Sequence, residues 1–121
     1  MTAVPRDQGE RRKWLDRRPT LGSVAWIVQR VAGLALLVLV PLKVLGGWAF
    51  RQDIPFDSFL VRMHLNGAVD VALITAVAFH AVFGVRTVLI DVGLVRTARV
   101  LTIPLIVFAS LVTIWGSVIA L

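Results

Sequence analysis

Apolar and polar positions along this chain fall into long blocks, with none of the short alternation of a sheet protein. One block runs from Ser23 to Phe50, interrupted by Arg30 and Lys43. A second starts near Phe59, becomes mainly apolar after Asp70 and ends around Asp91–Gly93. A third covers Val100 to Leu121, with Pro104 near its start and Trp115 toward its end. Roughly 20 apolar residues cross a hydrocarbon core, so the blocks predict membrane-spanning helices over about 23–50, 59–92 and 100–121. The first has length to spare for tilt or for a bend at Pro41. "RQDIPFDS" reads as a short outer turn, and residues 1–21 as a polar, basic tail. The expected fold is all-α, a single integral membrane domain over 1–121 with three transmembrane helices and a cytoplasmic N-terminal tail.

Composition agrees with the pattern. Hydrophobic residues make up 58% of the 121 positions, against roughly 45–50% in soluble domains. The absence of cysteine excludes disulfides, iron–sulfur ligation and thiolate zinc sites within the chain. Only His64 and His80 are available as imidazole ligands, so a histidine-held metal needs ligands from elsewhere or a cofactor that brings its own.

The net charge of +6 does not point to nucleic acid, because of where it sits. Arg6, Arg11, Arg12, Lys13, Arg17 and Arg18 precede the first span, and Arg96 and Arg99 lie between the second and third. Arg51 and Arg62 flank the other connection. Under the positive-inside rule this puts the N-terminus in the cytoplasm and the C-terminus outside. Trp14, Trp48 and Trp115 fall near the interfaces, as an aromatic belt requires. The first span is too long for a secretory signal, and no small-residue cleavage site closes it.

Three spans are too few to enclose a pore alone, so charges inside them should face a partner subunit. Arg30 lies about 10 Å below the cytoplasmic surface and shares a helical face with Ser23, Trp26, Gly33 and Leu37. Two readings are open: it snorkels to headgroups, or it meets a phosphate or carboxylate at that depth. In "FHAVFGVRTVLID", His80, Gly84, Thr87 and Asp91 fall on nearly one line, while Arg86 points about 120° away. A glycine one turn from a histidine leaves space for a flat object, and neutral imidazole is a good haem-iron ligand. The alternative is a histidine that hydrogen-bonds a neighbouring helix. His64, about 24 Å from His80 on a continuous helix, cannot share its iron. It reads as an interfacial polar residue near Arg62 and Asn66, or as the ligand of a second, outer haem. Lys43 and Asp70 read as outer-side residues with local partners.

Two motifs carry a resemblance. "WIVQRVAG", residues 26–33, has an arginine followed three positions later by glycine. "HAVFGVRTVLIDVG", residues 80–93, reads His-x-x-x-Gly-x-Arg-x-x-x-x-Asp. With the three-span plan, they resemble the small membrane-anchor subunits of succinate dehydrogenase (complex II), including their cytochrome b members. The resemblance implies that His80 is an axial ligand of haem b, with the second axial histidine supplied by a sister anchor subunit. It places Gly84, Arg30 and Arg86 around the haem, and Ser23, Trp26, Arg30 and Asp91 at a ubiquinone or menaquinone site. Two positions depart from the family pattern. Trp26 stands where many members have a quinone-bonding serine, so either Ser23 replaces it or the tryptophan borders the ring. Val92 follows the aspartate where the D-type anchor often has tyrosine, which favours the C-type assignment.

On this resemblance the chain is no catalyst by itself. It anchors the flavoprotein and iron–sulfur subunits at the cytoplasmic membrane of a bacterial or archaeal cell, and electrons reach it from them. Its partners are those subunits, the second anchor subunit, membrane lipid and quinone, with no nucleic acid. A fumarate reductase anchor and a haem-free scaffold for a peripheral complex are the rival readings.

Overall fold

A computed structural model describes residues 20–121. The basic tail expected over 1–21 lies almost wholly outside the described residues. Four helices follow in order: α1 (Leu21–Arg51), α2 (Phe59–His64), α3 (Gly67–Asp91) and α4 (Val95–Ala120). There are no strands among the described residues. The three long helices have the length and apolar composition to cross a membrane, as the block pattern predicts.

Each boundary has a local cause. Thr20 caps α1 by accepting from the Ser23 amide at 3.3 Å. The helix runs 31 residues, about 46 Å, without interruption at Pro41. After Arg51 the chain turns through Asp53, whose φ of 53° places it in the left-handed region. Ser58 and Asn66 then cap α2 and α3. The expected single span over 59–92 is therefore two helices, broken at Leu65–Asn66. Asn66 causes the break, because its Oδ1 accepts from the Ala68 amide at 2.9 Å and starts a new helix. At the far end of α3, Gly93 takes φ +86°. There the Leu94 amide returns to the Leu89 carbonyl at 2.8 Å, a turn that favours glycine. The last helix begins at Val95, five residues before the apolar block, since Arg96 and Arg99 lengthen it into the interface.

α3 is central and packs against both α1 and α4, while α2 tucks under the end of α1. The seams are built from small side chains: Ala25, Ala32, Gly46 and Ala49 on α1, and Ala98, Thr102, Ala109 and Gly116 on α4. Large apolar side chains point outward instead, Leu37 being 72% exposed and Val118 76%. That inversion suits lipid, where helix association depends on close backbone approach and not on expelling water.

Candidate functional site

The second histidine is held by α1. His80 Nδ1 lies 3.1 Å from the Gln29 carbonyl oxygen, 51 residues away in sequence. A carbonyl can only accept, so Nδ1 carries the proton and Nε2 keeps its lone pair. Gly33 makes the approach feasible. A Cβ there would lie 3.1 Å from His80 Cε1 and 3.3 Å from Nδ1, tighter than ordinary contact. Gln29 holds α3 a second time, since Thr87 Oγ1 donates to its Oε1 at 2.8 Å. Gly84 lies beside this pair, where a Cβ would meet only Gln29 Nε2 at 3.6 Å.

Arg30, next to Gln29 in sequence, therefore stands at the level of the His80 ring. Its guanidinium carbon sits 4.4 Å from the centroid of the Trp26 ring. Both side chains are exposed on the surface of the chain. Cation–π contact fixes the direction of Arg30 while leaving its N–H donors available. Ser23 is one turn nearer the N-terminus, and its hydroxyl donates to the Thr20 carbonyl at 2.8 Å. Asp91 closes α3 on the same end of the bundle, exposed, and bonds to none of these residues. Arg86 faces another way: its Nε donates to Thr102 Oγ1 on α4 at 3.1 Å. The expected 120° offset between Arg86 and His80 thus becomes a difference of hydrogen-bond partners, Thr102 on α4 for one and the Gln29 carbonyl on α1 for the other.

His64 repeats the His80 arrangement at the other end. Its Nδ1 lies 3.1 Å from the Lys43 carbonyl oxygen, with Gly47 four residues on as Gly33 follows Gln29. The ring also stacks on Phe50, centroids 6.3 Å apart. Lys43 extends to the His64 carbonyl and forms an ion pair with Asp70, so those two residues are each other's local partners. Because the helix breaks at Leu65–Asn66, a continuous-helix spacing no longer separates the histidines. Their acceptors on α1 do: Gln29 and Lys43 are fourteen residues, about 21 Å, apart. One iron cannot take both.

Among the described residues no three His, Asp or Glu side chains gather to hold a bare metal ion. A single imidazole with a fixed Nδ1 proton and an available Nε2 instead fits a cofactor that carries its own equatorial ligands. An open apolar groove of about 470 Å³ between α1 and α3, lined by residues such as Ile27, Val31 and Phe79, includes none of the site residues. Sequence reading missed Gln29 and Thr102, and it placed Thr87 on the His80 line without its partner Gln29. Gln29 had a usable signal, an amide inside a span four residues before a glycine.

Comparison with curated proteins and with solved structures gives no match. A family model does match, over residues 8–119, which is nearly the whole chain. The chain belongs to the succinate dehydrogenase/fumarate reductase transmembrane subunit family.

Proposed function

We propose that this chain is the cytochrome b anchor of a succinate:quinone oxidoreductase. In this reading it shares haem b with a second anchor subunit and forms one wall of the quinone site. It also docks the iron–sulfur and flavoprotein subunits at the end carrying Thr20, Asp91 and Arg99. The observation that supports this best is the convergence of His80 and Arg30 at one level of the bundle, from helices 50 residues apart in sequence. His64 has the same Nδ1 contact, but the cation opposite it, Lys43, is already engaged by Asp70.

His80 would hold the haem iron through Nε2, and the Gln29 carbonyl would fix its tautomer and ring plane and raise its basicity. Gly84 would keep the flank of α3 low. The haem, when bound, supplies one-electron storage beside the quinone. Arg30, steadied by Trp26, would pair with a propionate and donate to a quinone carbonyl oxygen. Quinone reduction takes two electrons and two protons, and negative charge builds on that oxygen between the transfers. A positioned guanidinium stabilises this charge. Ser23 and Asp91 lie toward the aqueous end, where a hydroxyl and a carboxylate can pass protons inward. The net charge and the arginines at this end favour a cytoplasmic N-terminus.

Oxidised and dithionite-reduced absorption spectra of the purified complex test the reading. A b-type band that appears on reduction and is re-oxidised by quinone is expected. A complex that turns over succinate and quinone with no such band would leave a haem-free scaffold. A fumarate reductase anchor would give the same spectrum, and the direction of turnover with menaquinol or ubiquinone separates the two.

A further inference from the structure

Where α1 begins, α3 ends and α4 begins, a cavity of about 420 Å³ opens between the three helices. Arg86, Arg99, Thr20 and Thr102 form its polar wall, and Gly22 and Ala98 keep it open. Thr102 is buried and donates its hydroxyl hydrogen bond to the Ala98 carbonyl at 2.7 Å, so its oxygen is fixed as the acceptor for Arg86 Nε. That bond sets the plane of the Arg86 guanidinium and leaves both terminal amino groups without a hydrogen-bond partner among the described residues. One of them, Nη2, lies 3.6 Å from where a Cβ on Gly22 would stand. Among the described residues no carboxylate lines the cavity and Arg86 forms no ion pair.

A half-buried arginine within a span is costly unless an anion or water meets it. Arg86 lies five residues before the end of α3, about 8 Å along the axis. With the helix end taken at the aqueous surface, that distance falls near the boundary between acyl chains and headgroups. It also lies on the α4 side of α3, away from the flank that carries His80. We infer that this cavity binds the phosphate of an anionic phospholipid from the adjoining leaflet. Phosphate oxygens accept two parallel N–H bonds from the Arg86 fork, a geometry that lysine cannot supply. Arg99, exposed at the rim, adds the second charge. Ile90 and Val95 form an apolar sill for the acyl chains, which a free phosphate would not use. The inference is independent of the haem reading.

The test uses the full-length chain with its co-purifying subunits, in phosphatidylcholine nanodiscs containing a minor fraction of phosphatidylglycerol. Lipid retained after extraction into mild detergent is counted by native mass spectrometry. Wild type should retain phosphatidylglycerol in preference to phosphatidylcholine. Arg86→Gln and Arg99→Gln should each weaken that preference by about tenfold or more, while Arg51→Gln, at the opposite end, leaves it intact. Should Arg86→Gln fail to assemble, Arg99→Gln in assembled complex decides, since Arg99 is exposed and forms no ion pair among the described residues. Unchanged retention in Arg99→Gln overturns the inference. So does full displacement of phosphatidylglycerol by excess inorganic phosphate, which would mark a site for the free ion. A shifted haem band in Arg86→Gln with normal lipid retention would also overturn it, by assigning the arginine to a propionate.

Discussion

Gly33 offers a way to move His80 without touching it. A Cβ at position 33 would lie 3.1 Å from His80 Cε1 and 3.3 Å from Nδ1, so the imidazole must give by a few tenths of an ångström. For Gly33→Ala two effects nearly cancel in the stability of the chain. Alanine gains about 1 kcal/mol of helix propensity. Straining the Nδ1–Gln29 bond loses about 0.5–1.5 kcal/mol. Gly33→Val adds two further methyl groups against the ring and removes most of the propensity gain, so the ring leaves the Gln29 carbonyl. Nε2 is then misaimed and loses the partner that fixed its tautomer. Disturbing such an outer partner typically weakens metal affinity about 10–100-fold. Haem per assembled complex, followed by reduced absorbance during dilution or competition, should fall in that range for valine and only slightly for alanine. A Gly33→Val complex with wild-type haem content and an unshifted band would refute the claim that Gly33 positions a haem-ligating His80.

Other consequences follow from the same geometry. Arg30→Leu should depress quinone reduction by roughly ten- to a hundredfold, from the about 1.5–3 kcal/mol of a lost charged hydrogen bond. Succinate oxidation by a soluble artificial acceptor should barely change, and equal loss of both activities would make Arg30 a purely structural residue. Gly46→Ala should destabilise the bundle by about 1–3 kcal/mol in thermal unfolding. Its Cβ would sit 2.6 Å from the Leu60 carbonyl oxygen and 2.7 Å from His64 Cβ, neither of which can swing aside. A wild-type melting curve would contradict the α1–α2 contact. A reporter active only in the cytoplasm should be silent when fused after Leu121, and a signal there would reverse the proposed orientation.

The spans were legible because bilayer thickness imposes a length of apolar sequence that no local detail can disguise. The break in the second block was also written in the chain, as the Asn66–Gly67 pair, but its hydrophobic surroundings outweighed that signal. Propensity for a cap competes with continuous hydropathy, and here the cap wins. The start of α4 at Val95 was hidden for the opposite reason. Arg96 and Arg99 are polar yet helical, since a helix end at an interface tolerates charge. Spacing along α3 separated Arg86 from His80, but it could not say what each would meet. The Gln29 carbonyl and the Thr102 hydroxyl lie 51 and 16 positions away, and only packing brings them into reach. The likeness of the two histidines was equally invisible, because it consists of α1 backbone atoms opposite each ring.

That likeness makes a paired comparison the most direct test of the central claim. Complexes carrying His80→Ala and His64→Ala, each shown to be inserted and assembled, are compared with wild type in the dithionite-reduced minus oxidised spectrum. His80→Ala should abolish or shift the b-type band, and His64→Ala should leave it unchanged. An unaltered band in assembled His80→Ala would contradict the assignment of haem b to this site.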